Sequence, residues 1–385
     1  MTLTRRDLLQ LAPLAATPLL TARLSGTSPR HTDTPFPGMI VRMEQPRNLE
    51  TPLSALNDHL PNDHFFVRSH FAVPKLDAKN FKVVVEGHVA NRLEFSIAEL
   101  KKLPTLTKTI TLECAGNGRV FLTPQARGLQ WGHGAVGTAR WTGVPLAAVL
   151  ERARLRPGAT DVVLVGADAG AITTDPSSPG AINFDRSIPL AKALREETLL
   201  VWEMNGEPLP DSHGAPLRAI VGGWYGMASV KWLTRIVVSD KAHAGFWQTM
   251  DYSVWERHDG SLPQLAPVAA MQPKAVIVSP TLDDVLKPAS DCLIYGMAWA
   301  GERAVARVEL STDGGKSWND AEVDAKAPLV WSAWRYKWQA PPQPGTVKLV
   351  ARCTDTSGRT QPETRNSDLR SYLINHLIPL EVLIK

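Results

Sequence analysis

Thirty prolines spread through 385 residues constrain this chain more than any other feature. Proline fixes φ and lacks an amide donor, so it is tolerated in loops and at strand edges but not inside helices or central strands. Scattered between strand-like runs at this frequency, it points to a β-rich, loop-rich body rather than a helical bundle, with about a third of the residues in strands. The length exceeds one small core and implies two domains behind a short leader. Lys and Arg outnumber Asp and Glu only 42 to 38, which leaves no electrostatic footprint for nucleic acid. Any preference for an anion must therefore be local.

The first residues read as an address. Thr4-Arg5-Arg6-Asp7-Leu8-Leu9 sets a twin arginine before a modest apolar stretch, Leu8 to Ala22, interrupted by Pro13 and Pro18. That stretch is too short to span a bilayer, and no later apolar run is long enough to anchor the chain in a membrane. Residues 1–30 resemble a Tat-type signal peptide, which implies export of a folded protein to the periplasm with a complex cofactor already inserted. The three cysteines, Cys114, Cys292 and Cys353, make no C-x-x-C pair, and this excludes iron–sulfur clusters and covalently attached c-type haem.

Residues 25 to 60, rich in Pro, Thr and Asn, read as an extended arm, and the body starts near His64. Phe81 to Glu86 has the pattern of a strand, and Ser96 with Glu99 has capping-box spacing for a short helix. Lys108 to Glu113 alternates Thr with aliphatic residues, a strand that delivers Cys114 at its C-terminal end. A helix is expected from Gly143-Val144-Pro145-Leu146, with Leu146, Val149, Leu150 and Ala153 on its apolar face. Further strands are expected over Asp161 to Gly166, Glu197 to Met204 and twice within Arg218 to Asp240, and a helix over Ile188 to Glu197. Irregular alternation of this kind indicates an α+β domain over residues 31–268.

After Pro267 the texture changes. Ala275 to Val278, Cys292 to Trp299, Ala304 to Leu310, Trp331 to Gln339 and Val347 to Thr354 are short strand patterns at regular spacing, parted by turns such as Asp313-Gly314-Gly315. They read as an all-β, immunoglobulin-like sandwich over residues 273–385. Cys292 and Cys353 fall on inward faces, so a disulfide between them is open.

The chemistry centres on Leu112-Glu113-Cys114-Ala115-Gly116-Asn117-Gly118-Arg119. A cysteine at a strand end, followed by small residues, offers its sulfur to something bulky, and thiolate is a soft ligand suited to a high-valent metal. Taken alone, such a residue is ordinarily a buried structural thiol. The stretch, however, resembles the Cys-Ala-Gly-Asn-Arg-Arg motif of the sulfite oxidase family, with Gly118 where the first Arg stands. Phe65-Phe66-Val67-Arg68-Ser69-His70 resembles another family segment, with Ser69 in place of Asn. Gly128-Leu129-Gln130-Trp131, His213-Gly214-Ala215-Pro216-Leu217-Arg218, Ser229-Val230-Lys231-Trp232 and Trp247 to Tyr252 are similar to further ones. Gly222 replaces a common Pro.

This resemblance, which spans nearly the whole mature chain, implies a Mo-molybdopterin cofactor with Cys114 as the metal ligand. It assigns Phe66, Arg68, His70, Asp168, His213, Arg218, Ser229 and Lys231 to cofactor binding, and Arg68, Arg119, Tyr252 and Trp131 to the substrate pocket. Arg335 is assigned to the pocket rim. It also implies oxidation of sulfite to sulfate by oxygen-atom transfer and single-electron delivery to a c-type cytochrome or other external acceptor. The sandwich then serves as a dimerisation domain, giving a homodimer, and no chain length is left for a b5-type haem domain, so no haem is expected. The physical reading agrees. A small hydrated dianion needs fixed, forked donors, which Arg68 and Arg119 supply; His213, Arg218 and Lys231 form a basic set fit for a phosphate. Three alternatives stand beside it: a molybdenum reductase of S-oxides, which lacks such a sandwich; a nitrate reductase, which Arg119 disfavours; and a non-catalytic binding module.

Overall fold

Val83 and Val85 are buried while Lys82 is exposed and Glu86 half-buried, the alternation of a strand with one face on a core. This strand, β1 (Lys82–Gly87), pairs with β2 (Leu93–Ser96), which ends in the expected capping box and launches the one-turn helix α1 (Ile97–Leu100). The computed structural model describes residues 38–57, 59–324 and 327–385. The leader read at residues 1–30 lies outside them.

In chain order there follow β3 (Leu106–Glu113), β4 (Val136–Pro145), α2 (Leu146–Ala153), β5 (Asp161–Ala171), β6 (Ala181–Pro189), α3 (Leu190–Ala193), β7 (Thr198–Met204), β8 (Arg218–Val221) and β9 (Leu233–Ser239). Strands β3, β4, β7 and β8 form one antiparallel sheet in that order. Strands β2, β1, β9, β5 and β6 form another, with β1 and β9 its parallel pair. The four apolar positions expected on α2 are buried, but the helix starts only at Leu146. Gly143, Val144 and Pro145 instead pair with Val201, Leu200 and Leu199 of β7. The helix expected over Ile188 to Glu197 is the single turn α3, because Ile188 and Pro189 are taken into β6 against Val162 and Asp161.

The second half contributes β10 (Lys274–Ser279), β11 (Asp291–Trp299), β12 (Val305–Ser311), β13 (Ser332–Gln339), β14 (Gly345–Asp355) and β15 (Leu380–Ile384). One sheet runs β10–β11–β13 and the other β12–β14–β15, a two-sheet sandwich. Ile294, Val308, Leu310, Trp334, Leu349, Cys353 and Val382 fill its core. Val276, Val278, Trp299, Trp331, Tyr372 and Leu373 do not belong to that core; they complete the core of the first half. The three thiols are free. Cys353 packs where its Sγ lies 3.9 Å from the carbonyl oxygen of Trp299, whereas Cys292 sits seven residues back along the same strand, about 23 Å at the usual rise. That separation is too long for a bridge. The arm contains a hairpin, Ile40–Met43 against Asn48–Glu50, that its composition did not signal.

Candidate active site

Strand β3 is buried over its last four residues and ends at Glu113, so Cys114 opens the following turn from a fixed base. Its amide donates to the Ala135 carbonyl at 2.9 Å, and its carbonyl accepts from Asn117 N at 2.9 Å. At Gly116 a Cβ would lie 2.3 Å from Nη2 of Arg119, so only glycine lets that guanidinium fold back over the turn. Cys114 lines two cavities that share this wall.

All eight residues assigned to cofactor binding line the first cavity, together with Cys114 and Tyr252. At one end Arg218, on β8, donates to the carbonyls of His213 at 3.0 Å and Ser229 at 2.9 Å, with its guanidinium 5.1 Å from the Trp141 ring centroid. Burial lowers its pKa to about 9, which leaves it a cation at neutral pH. Lys231 donates to Ser212 O at 2.8 Å and to Ser69 Oγ at 2.9 Å, so the Ser that stands in place of Asn has a partner in the cradle. Gly214 joins these residues at φ +105°, and a Cβ there would come within 3.0 Å of Lys231 Cβ and 3.1 Å of Arg218 Cβ. His213 bonds Asn62 O through Nε2 at 3.0 Å; burial first, then Lys231 and Arg218, bring its pKa down to about 3, so it is neutral.

Asp168 is buried, and its Oδ1 has no partner among the described residues. Desolvation raises its pKa to about 6, against the opposing pull of Lys231 and Arg68. His70 stacks on Phe184 at 4.6 Å and bonds the Tyr252 hydroxyl through Nε2 at 2.7 Å. Burial, Arg68 and Lys231 hold it well below its ordinary pKa. Tyr252 follows a π-helical turn, Trp247–Asp251, and burial raises its pKa, which keeps the phenol protonated as a neutral donor.

The second cavity, of about 750 Å³, shares Arg68, His70, Cys114 and Tyr252 with the first. Arg68 and Arg119 both line it. Arg119 is steadied by the carbonyls of Ser371 (3.1 Å, from Nε) and Leu129 (2.9 Å, from Nη1), and Arg68 donates to Asn48 Oδ1 at 3.3 Å. Two assigned residues stand apart from both cavities. Arg335 lies on β13, where alternation turns Trp334 inward and Arg335 out; it is exposed, pairs with Asp324 and lines neither of the two cavities at Cys114. Trp131 is fully buried in the core, and Gly128 and Leu129 of the same segment line the second cavity. Two residues that the sequence reading missed take their places, Arg370 and Tyr372, on the loop between β14 and β15. Arg370 Nη1 donates to the carbonyls of Met250, Asp251 and Ser253. The Tyr372 hydroxyl donates to Asp251 Oδ1 at 2.7 Å, and its ring centroid lies 5.0 Å from that of Tyr252. No periodicity or motif marks that loop.

The donor set of the first cavity fits a phosphorylated pterin. Two cations and a serine stand at one end, and Asp168 Oδ1, an acceptor without a partner among the described residues, would be satisfied by ring N–H groups of such a ligand. Residues 70–247 match the oxidoreductase molybdopterin binding domain and residues 266–382 the Mo-co oxidoreductase dimerisation domain, the domain pair of the molybdopterin-dependent oxidoreductases. The chain is 35% identical to mitochondrial sulfite oxidase of Rattus norvegicus over 372 residues, 90% of this chain and 66% of that protein. It thus spans just under two thirds of that relative. It is 31% identical to sulfite oxidase of Arabidopsis thaliana over 90% of this chain and 92% of that one. The crystal structure of the sulfane dehydrogenase SoxCD from Paracoccus pantotrophus superposes with a TM-score of 0.75 at 27% identity, covering 86% of this chain and 83% of that one. This chain belongs to the sulfite oxidase family.

Proposed function

We propose that this protein oxidises a small reduced-sulfur anion, sulfite foremost, at a molybdenum–pterin group, and passes electrons singly to an external carrier such as a c-type cytochrome. The observation that carries this reading is the position of Cys114, on the wall common to the cavity lined by His213, Arg218, Ser229 and Lys231 and the cavity lined by Arg68 and Arg119. His213, Arg218, Ser229 and Lys231 would hold the cofactor phosphate, His70 and Asp168 the pterin edge, and the Cys114 thiolate the metal. When bound, that group supplies oxygen-atom transfer and takes up two electrons. The chain's own part is to gather and orient the anion. Arg68 and Arg119 replace its water with charge-assisted donors, each contributing about 1.5–3 kcal/mol. Tyr252 adds a neutral donor, and Arg370 adds positive charge at the cavity wall.

The twin-arginine leader supports a periplasmic location. The second domain supports a homodimer. No helix among the described residues is long and apolar enough to cross a membrane.

A cavity of about 750 Å³ is far larger than sulfite needs, and this favours a second reading, in which the oxidised sulfur is a sulfane carried on a larger molecule. Protein matured in a host that makes the cofactor tests both. The expected result is about one molybdenum per chain, as one Cys114 per chain requires, and reduction of cytochrome c or ferricyanide on adding sulfite. Turnover with thiosulfate or a persulfide but not with sulfite selects the second reading. Metal-loaded protein inert to all of them overturns both.

A further inference from the structure

Cys114 is held from behind by the second half of the chain. Glu113, the residue before it, is fully buried, and its carboxylate accepts three hydrogen bonds: from Asn117 Nδ2 at 3.0 Å, Lys274 Nζ at 3.1 Å and Trp299 Nε1 at 2.8 Å. Only the first donor belongs to the Cys114 turn. Lys274 begins β10, and Trp299, its partner in register, ends β11. The buried ammonium of Lys274 also donates to Asn117 O at 3.0 Å. Asn117 Oδ1 in turn accepts from Ala135 N at 3.0 Å, and the Ala135 carbonyl takes the Cys114 amide. At Gly118, φ is +94° and a Cβ would lie 3.4 Å from Lys274 Nζ. The ammonium therefore borders the position where the family motif carries an arginine.

We propose that Lys274 is a positioning residue for Cys114: acting through Glu113 and Asn117, the second domain fixes where the thiol stands, and so forms part of the active centre within each chain. Removing one member of a buried charge pair strands the other in the interior, so the turn must rearrange or take in water when Lys274 is lost. The functional weight of this rests on Cys114 being the metal ligand, but the position of the thiol is measurable without that.

The test uses the full chain prepared without cofactor. Alkylation of each cysteine by iodoacetamide is followed by peptide mass spectrometry, with Cys292, at the far end of β11 from Trp299, as internal control. Lys274→Met is expected to speed alkylation of Cys114 about tenfold or more while leaving Cys292 unchanged. Adding Glu113→Gln removes the stranded charge and is expected to bring the Cys114 rate back to within about threefold of wild type. Equal rates at Cys114 in wild type and Lys274→Met overturn the proposal. So does a rise at both cysteines alike, which reports general loosening. Should Lys274→Met fail to fold, Glu113→Gln alone is read by the same rule. A response at Cys114 in a protein inert to sulfur substrates would separate this proposal from the reading of activity.

Discussion

Asp168 sits in the cradle with an acceptor atom that nothing among the described residues satisfies, and its raised pKa of about 6 expresses the cost of ionising there. A carboxyl whose pKa rises on folding contributes stability that is fully present below its unfolded pKa, near 4, and is lost as the pH climbs through about 6. In cofactor-free protein, Asp168→Asn keeps the neutral shape at every pH. Its Tm is expected to exceed that of wild type by about 2–4 °C at pH 7.5, and the gain should vanish toward pH 4. With cofactor bound the advantage should disappear, because the carboxylate then has donors. A Tm difference that is the same at both pH values would separate the shifted titration from the stability of this site. Cys114→Ser makes the complementary case. The side chain is nearly isosteric and the turn is held by backbone and neighbours, so thermal unfolding should barely change while molybdenum retention and turnover are lost.

Elements delivered by plain alternation were legible in the sequence, and elements decided by pairing partners were not. Strand β3 and its placement of Cys114, the buried face of α2, and five of the sandwich strands follow from local periodicity. Within the helical spacing from Ile188 to Glu197, Ile188 and Pro189 pair with β5 instead, and only tertiary pairing decides that contest. The site divides the same way. Ten of its members sit on segments with motif character, whereas Arg370 and Tyr372 arrive on an irregular loop whose position depends on long-range contacts. Period-2 alternation along β13 turns Arg335 outward, whereas no local pattern marks Arg370. The π-helical turn before Tyr252 depends on Arg370, whose Nη1 gathers three of its neighbouring carbonyls. Arg370→Leu leaves those carbonyls without that donor and removes a cation from the cavity. The expected result is a fall in kcat/KM of about a hundredfold or more, with a loss of stability of about 1–3 kcal/mol by urea denaturation. A fall confined to stability would remove Arg370 from the substrate cavity's work.

At the scale of the whole molecule, the boundary that composition marks near Pro267 is real for the sheets and absent for the core. No strand before residue 268 joins a sheet with one after 273 among the described residues. Yet Val276, Val278, Met297, Trp299, Trp331, Tyr372 and Leu373 are built into the core of the first half, and the backbone of β3 is bonded by Leu329 through Thr111. Texture along a sequence reports which strands pair, because pairing follows local alternation, but it says nothing about which apolar residues of one sheet finish another's core. A chain ending at residue 268 would lose all seven of these apolar partners and both second-half donors to Glu113, and would leave that carboxylate buried with one hydrogen bond. Residues 38–268 alone are therefore expected not to fold, and the full chain is expected to unfold in one cooperative calorimetric transition rather than two. Two separated transitions, or a soluble 38–268 fragment with native near-ultraviolet dichroism, would mean that the two halves are independent and that the second does not support Cys114.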